Sequence, residues 1–170
     1  DSENKKIVEI TGAVGASAAI DRAAGFREVM GECGIEIIDS QTGNWGVPES
    51  KAVMEAFLKN HEGEIAGVFG HNDEEAIGAV QAIEDAGLVP GEDIKVIGVD
   101  ATAHGFDYLI QGKINHLVEC NPLLGPQLIH GPALPLAHQR TERVIVKPGP
   151  HVVLLARERL LHRSFDDSTR

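Results

Sequence analysis

Apolar positions recur along residues 5–120 in a repeating cycle, a short β-rich run followed by a stretch with helical spacing. The run KIVEITG (6–12) precedes SAAIDRAAGFREVMGEC (17–33), where Ile20, Ala23, Phe26, Met30 and Cys33 recur at the interval of one helical face. IEIIDS (35–40) opens a second cycle. Its helix, PESKAVMEAFLKN (48–60), puts Val53, Met54, Phe57 and Leu58 on one side and has Pro48 where a first turn accepts it. IAGVFG (65–70) opens a third, whose helix starts at the N-cap residue Asn72, buries Ile77, Val80 and Ile83, and stops at Gly87. IKVIGVD (94–100), a brief helix over GFDYLIQG (105–112) and INHLVEC (114–120) complete the series.

Strands alternating with helices are βαβ units, which predict an α/β three-layer αβα sandwich with a parallel, doubly wound sheet of about five strands and right-handed connections. Beyond Leu128 the cycle fails. HGPALPLAHQR carries two prolines, TERVIVKPG reads as one strand, and HVVLLARERLLHR reads either as a strand or as a basic amphipathic helix. The expected division is a lobe over 1–128 and an atypical basic tail over 129–170.

Charge sharpens that boundary. Residues 1–125 carry 8 Lys and Arg against 22 Asp and Glu, whereas 126–170 carry 7 against 4, within a formal net charge of −11. Such acidity argues against a nucleic-acid partner or an anionic membrane surface. No apolar run reaches a membrane span, and DSENKK at the start lacks a signal pattern, so an exported protein would be met here in processed form. Cys33 and Cys120 lack a CxxC spacing and read as free core thiols.

In an open parallel sheet, ligands bind outside the carboxyl ends of the strands. Asn72 and Asp100 both end strands there, where two apolar runs stop abruptly on polar groups. Asn72 reads as a helix cap or a ligand group, and Asp100 as a turn residue or a ligand group. Arg22, near the start of the first helix, opposes the macrodipole; a link to Asp21 or Glu9, plain solvation, Asp100 or a ligand would each compensate. Trp45, the single tryptophan, follows the second strand and either covers the core or offers an aromatic face to a ligand.

Enzyme motifs fail on inspection. GAVGAS (12–17) lacks the lysine of a phosphate loop, and GASAA (15–19) has Ala19 where a nucleophile elbow needs glycine. The eight histidines show neither HxH nor HExxH spacing. No cofactor, no metal and no catalysis are expected.

The segments KIVEITGAVGASAAIDRAAGF, VFGHNDEEAIGAVQAIEDAG and VIGVDAT resemble the carboxy-terminal lobe of periplasmic sugar-binding proteins of the ribose and galactofuranose group. The likeness spans about 6–128, and VGASAAIDR, GHND and VECNPLLGP lie nearest the galactofuranose branch. It implies the non-catalytic solute-binding component of a bacterial ABC sugar importer, lipid-anchored or secreted, in the periplasm or outside the cell. Its ligand would be a monosaccharide, a pentose or hexose in pyranose or furanose form, delivered to a permease. By the resemblance, the sugar-gripping arginine falls on Arg22, the asparagine of the NDE turn on Asn72, the aspartate after the next strand on Asp100 and the stacking aromatic on Trp45. The polar residue near the hinge falls on Cys120, a departure.

Two further departures matter. The family's amino-terminal lobe precedes the first strand found here, and the tail does not match the usual lobe crossings. A lone lobe implies an open cleft and a homo-oligomer that covers it. The alternative is the effector domain of a sugar-sensing, lactose-repressor-type transcription regulator, which shares this architecture.

Overall fold

A computed structural model describes residues 5–120, 143–146 and 155–156. Its elements follow the predicted cycle: β1 (Lys6–Thr11), α1 (Ser17–Cys33), β2 (Glu36–Thr42), α2 (Val47–Asn60), β3 (Gly67–Gly70), α3 (Asp73–Asp85), β4 (Lys95–Asp100), α4 (Ala103–Gln111) and β5 (His116–Glu119). Within TERVIVKPG, Arg143–Val146 forms β6, and within HVVLLARERLLHR, Leu155–Ala156 forms β7. The remaining readings of the tail fall outside the described residues.

The strands lie in the order β2-β1-β3-β4-β5-β6-β7. The first five are mutually parallel, while β6 runs antiparallel to β5 and β7 antiparallel to β6. Right-handed crossovers fix the layers: β1 to β2 steps one way across the sheet and every later step goes the other way. One face therefore takes α1 and the opposite face takes α2, α3 and α4.

Strand alternation divides the side chains accordingly. Val8, Ile10, Val68, Val96 and Leu117 point into the main core with Met54 and Phe57 of α2, Ala76, Ile77, Val80 and Ile83 of α3, and Leu109 of α4. Helices α2 and α3 approach closely because residue 78 is glycine; a Cβ there would lie 2.5 Å from the Val47 carbonyl oxygen. Phe69, Ile97, Val99 and Val118 occupy the alternate positions, and Phe26 of α1 stacks on Phe69 with ring centroids 4.2 Å apart.

The predicted face of α1 needs correction. Ala19 is its buried residue, Phe26 and Met30 are half-buried, and Ile20 is 60% exposed. Ala19 lies seven residues before Phe26, a mismatch of only about 20° around the helix, so the sheet-facing line runs through 19, 22, 26 and 30 rather than through 20. Cys33 and Cys120 are both exposed, not core thiols: one ends α1 and the other follows β5.

Candidate functional site at the carboxyl edge of the sheet

The chain leaves β1 toward β2 and leaves β3 toward β4, in opposite directions, which opens a crevice at the carboxyl ends of β1 and β3. Arg22, Trp45, Asn72 and Asp100 all meet there. Arg22 shares the sheet-facing line of α1 with Phe26, one turn nearer the carboxyl edge. Its Nη2 donates to Asp100 Oδ1 at 2.8 Å and its Nη1 to the His71 carbonyl oxygen. Of the compensations open to a cation in this helix half, the protein uses Asp100. Glu9 is engaged by Arg27 instead.

The Arg22 guanidinium carbon also lies 5.8 Å from the centroid of the Trp45 ring. That indole occupies space above residue 12 that only glycine leaves free, since a Cβ on Gly12 would come within 2.0 Å of the Trp45 ring. The loop carrying it is strained: Asn44 and Trp45 have φ of 52° and 66°, the left-handed region that costs a side-chain-bearing residue about 1–2 kcal/mol. Asp100 and Ala101 likewise have φ of 110° and 57°. Non-glycine residues in such conformations gather at ligand sites, where the surrounding structure holds them.

Asn72 has two tasks. Its Oδ1 accepts from the Glu75 amide at 2.8 Å, capping α3, and its Nδ2 donates to the Trp45 carbonyl oxygen at 3.3 Å. The cap reading is correct, and one N–H of Nδ2 remains for another acceptor. Cys120 sits beside this group through its backbone, its amide reaching the Asp100 carbonyl oxygen at 3.4 Å.

The pattern of apolar runs did not single out the groups that support these four. Glu75 is fully buried; its Oε1 accepts from the Trp45 amide at 3.0 Å, and burial pushes its carboxyl up to about 7 against the pull of nearby amides and Arg22. Asp73 Oδ2 accepts from the Thr102 amide at 2.6 Å and from its hydroxyl at 2.8 Å, tying the turn after Asp100 to α3; burial raises this carboxyl as well. The available signal was the spacing Asn72-x-x-Glu75, which matches a capping box.

Beneath the edge, Glu9 and His71 are both fully buried. His71 Nδ1 accepts from the Gly12 amide at 3.4 Å, which leaves the proton on Nε2, 3.1 Å from Glu9 Oε1. Burial pushes the Glu9 carboxyl up, but hydrogen bonds from His71, Ser40 and Arg27 outweigh it and hold it below the usual carboxylate range. Among the described residues, no cluster of three or more His, Cys, Asp or Glu side chains is gathered for a metal ion.

A cation, a carboxylate, an amide and an indole thus stand together at the switch point of a doubly wound sheet. The chain matches the periplasmic binding protein domain over residues 2–123 and belongs to that family. Over 124 residues it is 43% identical to the galactofuranose-binding protein YtfQ of Escherichia coli K12, which covers 71% of this chain and 39% of that protein. It is also similar in structure to the periplasmic binding component of the arabinose ABC transporter of Shewanella sp. ANA-3, bound to α- and β-L-arabinofuranose. That likeness has TM-score 0.69 and 46% identity over 74% of this chain and 42% of the other. A Mycobacterium smegmatis protein in complex with β-D-fucofuranose gives TM-score 0.67 and 49% identity over 73% and 41%. The chain thus spans about two fifths of the length of the relatives it matches.

Proposed function

We propose that this chain is a sugar-contacting lobe of the solute-binding component of a bacterial ABC importer, holding one monosaccharide without reaction at the carboxyl edge of its sheet. The observation that carries the reading is the convergence of Arg22, Asp100, Asn72 and Trp45 at the crevice between β1 and β3. Vicinal hydroxyls suit a carboxylate, a guanidinium fork and an amide, while the C–H face of a sugar ring suits an indole. The furanose sugars bound by the two solved relatives favour a pentose or hexose in furanose form. On this reading the protein works in the periplasm or outside the cell, lipid-anchored or secreted, and its protein partner is the importer's permease. The names of the relatives are those of sugar receptors and lend no support to the effector domain of a transcription regulator.

The test is titration calorimetry with arabinose, galactose, fucose and ribose, on this chain joined to the amino-terminal half of the arabinose-binding relative. Asp100→Ala removes a charged acceptor worth about 1.5–3 kcal/mol and should weaken binding ten- to hundredfold. Affinity unchanged by that substitution excludes Asp100 from the site.

We also propose that the chain pairs with a second copy. Strand β2 is an edge strand, and a groove beside α1 is lined by Phe26, Met30, Phe69 and Ile97; unpaired backbone and apolar surface both favour association. Light scattering should show mass rising with concentration, and a monomer throughout would end this part of the proposal.

A further inference from the structure

Trp45, Asn72 and Glu75 form a closed ring in which each residue gives one hydrogen bond and takes one. The Glu75 amide donates to Asn72 Oδ1, Asn72 Nδ2 donates to the Trp45 carbonyl oxygen, and the Trp45 amide donates to Glu75 Oε1. In an ordinary capping box, the acid three residues after the cap returns to the cap's own amide. Here the Asn72 and His71 amides also pull on the carboxyl, and Oε1 in addition accepts from another loop, 30 residues away in sequence. We propose that Glu75 is a positioning residue of the sugar site, whose buried carboxyl fastens the β2–α2 loop in the left-handed turn that sets the Trp45 indole over Gly12 and beside Arg22. The inference rests on the sugar-lobe reading for its effect on affinity, but the fastening itself does not.

Three observations support it. Trp45 has φ of 66°, so its turn needs an external hold, and the Glu75 carboxylate supplies one at the amide where that turn is made. Second, Glu75 is fully buried and its Oε2 makes no hydrogen bond of ordinary geometry, so burial outweighs the pull of the Trp45, His71 and Asn72 amides and of Arg22 toward the charged form. Third, this burial lifts its ionisation to about 7, so the hold on Trp45 passes between a neutral and a charged acceptor near neutral pH.

The charges around it come from several elements. Arg22 faces it from α1 and is itself held by Asp100. His71, at the end of β3, has its ring turned to Glu9 and Gly12. Glu49, in the first turn of α2, is folded over Gly46. On α3, Asp73 is turned to Thr102 and Glu74 to His104.

Because Trp45 is the single tryptophan, its fluorescence reads the loop directly with no sugar present. The experiment compares the 170-residue chain with Glu75→Gln and Glu75→Leu, each checked for folding by circular dichroism, in emission and acrylamide quenching from about pH 5 to about pH 9. The parent should show a step in Trp45 emission centred near pH 7. Glu75→Gln keeps an acceptor for the Trp45 amide but cannot ionise, so it should keep the parent's low quenching and lose the step. Glu75→Leu keeps bulk but no acceptor, so quenching should rise at every pH. It also lacks the ionising group, and so supplies the pH comparison if Glu75→Gln does not fold. A step that persists in both variants, or quenching unchanged in Glu75→Leu, overturns the proposal. Quenching that rises in Glu75→Leu, while neither it nor its parent binds any sugar once joined to an amino-terminal half, faults the sugar reading and leaves the fastening in place.

Discussion

At the scale of single residues, the carboxyl edge depends on what is missing as much as on what is present. Gly12 has no side chain, and the Trp45 ring fills the space a Cβ would take, 2.0 Å from the nearest ring carbon. Gly12→Ala must therefore displace the indole. Overpacking a closed core costs about 1–3 kcal/mol, but Trp45 is half-buried and can swing outward, so the stability loss should fall at the lower end. Denaturant melts should show that small loss, while Trp45 emission moves to the red and sugar affinity of the joined protein falls. Emission unchanged in Gly12→Ala would mean that the indole does not rest there. Sequence made Trp45, Asn72 and Asp100 legible because each sits at a strand end or in a loop following one, and Arg22 because a cation near a helix start opposes the macrodipole. It left Arg22 with several partners, since Asp100 is 78 residues away and only the sheet order brings them together. Glu75 escaped notice because an acid in the first turn of a helix is ordinary; its burial under another loop is a tertiary fact.

At the scale of elements, the first turn of α3 is the frame of the site. Asn72 and Glu75 hold the β2–α2 loop and Asp73 holds the β4–α4 turn, so one helix start fixes both flanks of the crevice. The cost is two buried carboxyls with raised ionisation. A carboxyl raised in the folded state binds a proton more tightly there than when unfolded, so it favours the fold at low pH and loses that advantage as pH rises. For Glu75 the window runs from 4.5, its ordinary value, to about 7. Glu9, held below the usual range, acts oppositely: its contribution is present above its ordinary value and lost as pH falls through its folded one. Replacing Glu75 by Gln should leave stability relative to the parent nearly unchanged at pH 4.5, then raise it progressively up to pH 7. The upper bound of that gain is about 3 kcal/mol, from about 1.4 kcal/mol per pH unit. Urea melts across this range check it, and a difference between the two proteins that stays constant with pH would remove Glu75 as a titrating group. The helix-and-strand cycle itself was legible from periodicity. The face of α1 was not, because Ile20 and Ala19 are both apolar and only contact with Phe69 decides which of the two lines turns inward.

At the scale of the whole molecule, the proposed sugar site would take one wall from the described lobe. Asp100 is 34% exposed and Arg22 15%, so the pair that would grip hydroxyls is partly open to water on the side away from the sheet. Water weakens each such contact twice, by competing for the hydrogen bonds and by raising the local dielectric. Small-ligand sites usually bury most of their ligand, and a lone wall leaves about half of a sugar ring solvated. Within the lobe itself these groups are held: Arg22 by Asp100 and the His71 carbonyl, Asn72 by the Trp45 carbonyl and the Glu75 amide, and the Trp45 backbone by Glu75. Little ordering is then left to be done on binding, and the deficit comes from enclosure rather than from disorder. We therefore expect the 170-residue chain alone to bind its preferred sugar with a Kd of about millimolar or weaker. Joined to a matching amino-terminal half, it should bind at least a hundredfold more tightly, a gain of about 2.7 kcal/mol from closure. Calorimetry on both forms decides between this and a self-sufficient lobe. Micromolar binding by the lone chain would show that one wall is enough, and equal weakness in both forms would show that the strand-end groups of β3 and β4 do not face the sugar at all.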